Sequence, residues 1–229
     1  MDATGTEEKS VTAKKKIVVV DDHPIVRRGF ALLINQEADL EVCGEAKDAC
    51  EGLEVINRAQ PDLAIIDITL KDSNGMDLIK ELKKTSSGLP ILVVSMHDEL
   101  LYAERALRAG ARGYIMKQEA EEKMIEAVRR VLGGEIYLSQ AMSERVLTIL
   151  AEGRSRDPAI LVESLSDREL AAFQLIGQGH ETRQIAEILN VSMKTVETYR
   201  GRIKKKLNLE NTSQLVQYAV EWMVRQKGV

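Results

Sequence analysis

The sequence predicts an α/β domain, a doubly wound five-stranded parallel sheet, followed by a small all-α domain. Three observations carry this expectation. The runs Ile17-Val18-Val19-Val20 and Leu63-Ala64-Ile65-Ile66 are continuous, apolar and rich in β-branched residues, the pattern of strands buried on both faces. Strand-like and helix-like segments then alternate as far as Gly134. Beyond Gly134 no strand candidate of useful length follows, and helical periodicity takes over.

The first strand, Ile17–Val20, leads into a helix opened by Pro24, a good first-turn residue. Along it Ile25, Val26, Phe30, Leu33 and Ile34 recur at helical spacing. Leu40–Ala46 reads as the second strand and Ala49–Ala59 as the second helix. Pro61-Asp62 turns the chain into the third strand, Leu63–Asp67. Asp72-Ser73-Asn74-Gly75 is a loop signal, and Met76–Lys84 reads as a helix. Ile91–Ser95 is the fourth strand, and Leu100–Ala109 a helix ended by Gly110. Gly113–Met116 is the fifth strand, and Ala120–Leu132 a helix ended by Gly133-Gly134.

Ser139–Ala151 places Met142, Val146, Ile149 and Leu150 on one side of a helix, and the polar stretch Glu152–Pro158 reads as a linker. Ser166-Asp167-Arg168-Glu169 fits a capping box that opens a helix through Gln178. Thr182–Leu189 is a short helix, Leu189-Asn190-Val191-Ser192 a tight turn, and Met193–Leu207 the next helix. Asn211 begins the last, through Gln226. The expected division is a flexible tail over residues 1–15, a sheet domain over 16–134, a linker with a helix over 135–161, and a helical domain over 162–229.

Charge separates the two halves. The chain of 229 residues has a formal net charge of −4, with 44% hydrophobic residues, enough for real cores. Residues 160–229 are net +2 and residues 1–159 net −6, so the halves are expected to have different partners. Cys43 and Cys50 are too few for a disulfide scaffold. No apolar stretch reaches the length of a membrane span and no signal-peptide pattern precedes Lys14. A cytoplasmic protein with no membrane partner is expected.

Parallel strands that start on one edge of a sheet end on the opposite edge together, where open α/β sheets place their ligands. There the pattern gathers Asp21, Asp22, Asp67, Ser95 and Lys117. Carboxylates crowded together repel unless a cation sits among them. The donor set suits a hard divalent cation such as Mg²⁺, and the lysine and hydroxyl suit the oxygens of a phosphoryl group. Asp67 is central, which makes it the candidate nucleophile.

Val20-Asp21-Asp22, Asp67, Ser95, Tyr114 and Lys117 match, in order and spacing, the receiver domain of bacterial two-component response regulators. Ser95-Met96-His97-Asp98-Glu99 and Gly113-Tyr114-Ile115-Met116-Lys117 resemble the NarL/FixJ branch. The resemblance implies a flavodoxin-like fold and a set of roles. Asp67 accepts phosphate from a sensor histidine kinase. Asp22, Asp67 and the backbone carbonyl of Thr69 ligate Mg²⁺, with Asp21 acting through water. Lys117 pairs with the phosphoryl oxygens, Ser95 moves to hydrogen-bond them, and Tyr114 turns inward behind it. Thr69 and His97 flank the phosphoryl group and tune water access. Gln118 stands where many receivers carry proline after the lysine.

In the helical half, two helices joined by a four-residue turn read as helix-turn-helix. Val196, Tyr199, Ile203 and Leu207 fall on one face of the second of these and are expected to pack inward. The opposite face carries Lys194, Glu197, Thr198, Gly201 and Lys205, with Arg202 and Lys204 alongside, which suits a major groove. The run Lys204-Lys205-Lys206 supplies attraction to phosphates. Leu165-Ser166-Asp167-Arg168-Glu169, Gly179, Ile185-Ala186, Leu189, Val191-Ser192, Lys194-Thr195-Val196-Glu197 and Lys206-Leu207 resemble the LuxR-type output domain. By that resemblance Thr195 joins the DNA-binding set, and Val216, Val220 and Met223 pair two such domains on double-stranded DNA.

The function expected is therefore a DNA-binding transcription regulator controlled by Mg²⁺-dependent phosphorylation, a homodimer when phosphorylated or on DNA. In this reading the receiver catalyses only its own phosphorylation and dephosphorylation. A second reading uses the same motifs: a phosphorylation-independent regulator whose receiver serves only to dimerise. An aspartyl phosphatase is disfavoured because Asp67-Ile68-Thr69-Leu70 has no second Asp. Nucleotide binding is disfavoured because no glycine-rich phosphate loop is present.

Overall fold

The computed structural model describes residues 13–70, 73–152, 162 and 164–227. The expected tail, up to residue 12, and the linker over 153–161 lie outside the described residues. The chain forms two compact units that divide between Val146 and Leu147.

In the first unit each of the five expected strands forms. β1 (Lys15–Val20), β2 (Leu40–Ala46), β3 (Leu63–Ile66), β6 (Ile91–Ser95) and β7 (Gly113–Met116) make one parallel sheet in the order β2-β1-β3-β6-β7. This is the flavodoxin-like order, whose switch point lies between β1 and β3. Ile17 through Val20 are fully enclosed because helices cover both faces of the sheet. α1 (Pro24–Asn35) and α5 (Ala120–Leu132) cover one face, where Phe30, Ile34, Met124 and Val128 meet Val19, Ile65 and Leu92. α2 (Ala49–Ala59), α3 (Gly75–Thr85) and α4 (Glu99–Ala109) follow one another on the other side.

The register brings the strand ends level. Val20 pairs with Ile66, Ile66 with Val93, and Val93 with Tyr114. The residues that follow, Asp21 and Asp67, therefore emerge side by side. Backbone hydrogen bonds hold that exit: the Asp67 N–H donates to the Val20 carbonyl at 2.9 Å, and the Asp21 N–H to the Ala46 carbonyl at 3.0 Å.

Two features differ from the expected elements. The loop after β3 forms a small antiparallel ribbon, β4 (Thr69–Leu70) with β5 (Ser73–Asn74), too short to leave an alternating pattern. The chain also stays with the sheet beyond Gly134. Tyr137 bridges Gly113 in parallel, its N–H donating to the Arg112 carbonyl and its carbonyl accepting from the Tyr114 N–H, both at 2.9 Å. α6 (Gln140–Glu152) follows, its first turn tied twice through Ser139. The Ser139 hydroxyl accepts from the Met142 N–H at 3.1 Å, and the Ser139 N–H donates to the buried Glu99 carboxylate at 2.9 Å. Met142 is fully buried.

The second unit has helices α7 (Asp167–Gly177), α8 (Thr182–Ile188), α9 (Met193–Lys206) and α10 (Thr212–Lys227). Phe173, Ile185, Val196, Ile203, Leu215 and Ala219 are fully buried, and Trp222 stands edge-on to Phe173 with ring centroids 5.5 Å apart. Tyr199, expected inside with Val196 and Ile203, is only half-buried. Asn190 takes the left-handed conformation (φ 50°) that closes the turn between α8 and α9.

The capping box at Ser166 is present and does more than start a helix. The Glu169 carboxylate accepts from the Ser166 N–H at 2.8 Å and from the Lys206 ammonium at 2.6 Å, pinning the end of α9 to the start of α7. Lys206 also donates to the Ser164 carbonyl, which withdraws it from the lysine run expected to attract phosphates. Burial pushes the Glu169 carboxyl up, but Lys206 and the Ser166 backbone outweigh it and hold it below the ordinary glutamate value. A carboxylate depressed in the folded state adds stability above its unfolded pKa and loses it as pH falls through the folded one. Glu169→Gln is therefore expected to cost about 1–3 kcal/mol at pH 7, with the difference from wild type shrinking toward pH 4. Urea unfolding followed by Trp222, the sole tryptophan, checks this.

Candidate functional site

The acidic pocket forms where the strand ends predict it. Asp67, 3% exposed, lies with its Oδ2 2.7 Å from the Lys117 Nζ. The same ammonium is 2.6 Å from Asp21 Oδ2. Lys117 reaches this point because β7 delivers it directly into a 3-10 turn, Lys117–Glu119, at the carboxyl edge. Ser95, fully buried at the end of β6, places its hydroxyl within hydrogen-bonding reach of Asp67. Asp22 is partly exposed at the rim, and ligand atoms of Asp21, Asp22, His23 and Asp67 all lie within 4.8 Å of one another.

The electrostatics fit a pocket with more carboxylates than cations. Burial pushes the Asp67 carboxyl above its ordinary value, and Lys117 offsets this only in part. Burial pulls the Lys117 ammonium down, yet Asp67 and Asp21 together hold it above its usual value. Both groups thus retain their protons more tightly than in water, Asp67 because burial outweighs Lys117, and Lys117 because two carboxylates face it. The Asp22 Oδ1 oxygen is buried without a hydrogen-bond partner among the described residues, although the His23 Nδ1 lies 2.6 Å away. Surplus charge, a clustered set of hard oxygens and a buried carboxylate oxygen without a hydrogen bond together fit a divalent cation such as Mg²⁺.

A second layer closes over the pocket. The Thr69 hydroxyl and the His97 Nε2 are hydrogen-bonded at 2.8 Å, joining the loops after β3 and β6. His97 stacks on Tyr102 of α4 with centroids 4.5 Å apart. Burial, with a smaller push from Lys117, brings the His97 imidazole down to about 4, so it is neutral at pH 7. Tyr114 is turned inward, and its hydroxyl donates to the His97 carbonyl at 2.7 Å.

Three neighbours of the pocket were not singled out in the sequence. His23 bridges Asp21 and Asp22, and only its place between Asp22 and Pro24 hinted at this. Arg27, one turn into α1, donates to the Asp21 carbonyl and fixes the acidic loop from behind. Gly75 reads as loop punctuation, yet a Cβ there would lie 1.9 Å from the Asp67 carbonyl oxygen.

In the second unit, α9 exposes Lys194, Glu197, Thr198, Gly201, Arg202 and Lys205, with Lys204 half-buried beside them. A Cβ on Gly201 would meet nothing within 4 Å, so this face is open. Thr195 is half-buried and engaged in the helix cap, its N–H and hydroxyl both meeting the Ser192 hydroxyl. On α10, Val216 and Val220 are exposed, and Val224, one turn further, extends their stripe. Met223 instead sits against Gly177 of its own domain.

Comparison with known proteins agrees with this architecture. Residues 17–129 match the response regulator receiver domain, and residues 163–219 match the luxR family of bacterial regulatory proteins. The chain is 35% identical over 210 residues to the oxygen regulatory protein NreC of Staphylococcus carnosus, covering 90% of this chain and 97% of that one. It is 34% identical over 214 residues to NreC of Staphylococcus epidermidis, with the same coverage. A structure of RcsB from Salmonella enterica serovar Typhimurium, bound to promoter DNA with the phosphomimetic BeF3−, superposes with a TM-score of 0.60 at 26% identity. That match covers 90% of this chain and 98% of RcsB. A LuxR-family two-component response regulator from Aurantimonas gives a TM-score of 0.56 at 29% identity, covering 61% of this chain and 99% of that one. Among the described residues no helix is long and apolar enough to cross a membrane. A receiver domain joined to a LuxR-type helix-turn-helix domain, in a chain matching NreC over nearly its whole length, places this protein in the NarL/FixJ family of DNA-binding response regulators.

Proposed function

We propose that this chain is a transcription regulator switched by phosphorylation of Asp67. The observation that carries the reading is a buried carboxylate at the end of β3 whose Oδ2 is 2.7 Å from Lys117, in a chain that also bears a LuxR-type domain. A sensor histidine kinase supplies the phosphoryl group. An Asp67 carboxylate oxygen attacks phosphorus, the P–N bond of the donor phosphohistidine breaks as the new P–O bond forms, and the leaving imidazolate nitrogen takes a proton from water to give neutral histidine. Asp22, Asp67 and the carbonyl of Thr69 would ligate Mg²⁺, with Asp21 acting through water. When bound, the ion neutralises charge on the phosphoryl oxygens.

The chain's own residues do the rest. Lys117 pairs with the charge that the acyl phosphate adds. The Ser95 hydroxyl donates to a phosphoryl oxygen, and Tyr114 stays inward behind it. Thr69 and His97, already bridged at 2.8 Å, restrict water at phosphorus and set the lifetime of the mark. Phosphate favours one of two receiver states, and that shift frees or dimerises the DNA-binding domain. Lys194, Thr195, Glu197, Thr198, Gly201, Arg202, Lys204 and Lys205 form the DNA-binding set, while Val216 and Val220 pair two domains, with Met223 supporting the stripe from its own core. RcsB bound to promoter DNA with a phosphomimetic, and two RcsB dimers bound to DNA, support this reading.

The test measures Mg²⁺-dependent labelling by acetyl phosphate together with affinity for genomic DNA fragments. Wild type is expected to label and to gain about tenfold or more in affinity, within the usual range of allosteric coupling. Asp67→Asn is expected to do neither. An unchanged affinity gain in Asp67→Asn would replace this reading with the phosphorylation-independent one.

A further inference from the structure

α9 presents one acidic residue on a face that is otherwise basic, neutral or small. Glu197 stands among exposed Lys194, Thr198, Gly201 and Arg202 with 61% of its side chain accessible. A carboxylate there opposes association with a polyanion. Its surroundings nevertheless hold it in place. The Thr182 hydroxyl, in the first turn of α8, donates to Glu197 Oε1 at 3.0 Å. The Arg200 Nε, buried and without a hydrogen-bond partner, lies 3.8 Å from the same oxygen. The Thr182 hydroxyl is thus the one hydrogen-bond donor to Oε1 among the described residues, with Arg200 beyond hydrogen-bonding distance of the same oxygen, and Oε2 has no partner among the described residues.

A docked carboxylate oxygen needs a donor, and in the major groove only cytosine N4 and adenine N6 provide one. Adenine sets the N7 acceptor beside its amino group, which repels a carboxylate, whereas cytosine sets C5–H there. Guanine offers O6 and N7, both acceptors. We propose that Glu197, held by Thr182, fixes a cytosine at one position of each half-site, with Oε2 accepting from the N4 amino group, and excludes guanine from that position. Glu197 is the specificity-determining residue, and Thr182, which touches Glu197 and not the base, is a positioning residue. The inference rests on reading α9 as the helix that enters the groove, and it names the base that helix selects.

The test selects binders from randomised duplexes with the full chain, Mg²⁺ and acetyl phosphate, comparing wild type with Glu197→Gln, Glu197→Ala and Thr182→Val. Wild type is expected to prefer cytosine at one half-site position by about 5- to 150-fold over guanine. Glu197→Gln shifts that position toward adenine, because a carboxamide pairs with both N6 and N7. Glu197→Ala flattens that position alone, and Thr182→Val reduces the preference several-fold without moving it. A Glu197→Ala profile identical to wild type overturns the inference while leaving DNA binding intact. So does an equal loss of affinity for every duplex, since that marks Glu197 as a clamp between helices. No enrichment by wild type, with Trp222 fluorescence reporting a folded second unit, overturns the groove reading and this inference together.

Discussion

Gly75→Ala is expected to destabilise the receiver by at least about 3 kcal/mol, beyond the usual cost of overpacking a core. An added Cβ would lie 1.9 Å from the Asp67 carbonyl oxygen and 2.9 Å from its carbonyl carbon. Both are backbone atoms, so no side chain can swing aside. The two segments cannot simply separate, because the Gly75 N–H donates to the Ile68 carbonyl at 2.8 Å. The displacement falls on Asp67, the proposed phosphoacceptor, so its labelling should slow by at least about tenfold even where the variant folds. Urea unfolding by circular dichroism and acetyl phosphate labelling measure the two effects. A variant within about 1 kcal/mol of wild type would mean that α3 does not press on Asp67.

Lys117→Met is expected to cost about 3 kcal/mol at pH 8, in the range for removing one partner of a buried ion pair. Among the described residues the ammonium is the only cation bonded to both Asp21 and Asp67, and all three side chains are at most 8% exposed. Methionine fills much of the space but leaves two buried carboxylates facing each other. The carboxyl of Asp67 already sits above its ordinary value through burial, and loss of Lys117 raises it further. A carboxyl raised in the folded state binds more protons there than in the unfolded chain, so stability rises as pH falls. The defect should therefore shrink toward pH 5. Millimolar Mg²⁺ should restore the variant more than it stabilises wild type, by binding the folded form alone. Equal losses at pH 5 and pH 8, with no response to Mg²⁺, would show that the lysine does not neutralise this pocket.

Much of the pocket was legible because burial leaves a mark on sequence. Leu63-Ala64-Ile65-Ile66 runs unbroken between a Pro-Asp turn and Asp67, the pattern of a short strand enclosed on both faces, so the residue that closes it stands at the ligand edge. Ser95 and Lys117 followed from the same geometry. The helix-turn-helix was legible through the four-residue turn between two helical segments, where Asn190 takes the left-handed conformation, and the capping box at Ser166 forms as its spacing suggests. What remained hidden depends on contacts between distant segments. Thr69 and His97 lie 28 residues apart, and nothing in either segment says that they touch. Glu99 resembles any first-turn acid, and its burial arises only because Ser139 returns to meet it. Lys206 belonged to a basic run until Glu169, 37 residues away in sequence, claimed it.

The backbone ladder at Tyr137 has a practical corollary for anyone dissecting this chain. A fragment cut after Gly134 would strip β7 of a flanking partner, leave the Tyr114 amide unpaired and uncover the seat of Met142. Sticky, poorly folded material would then misrepresent an intact receiver, and a fragment carried to the end of α6 at Glu152 is the appropriate object for biophysics.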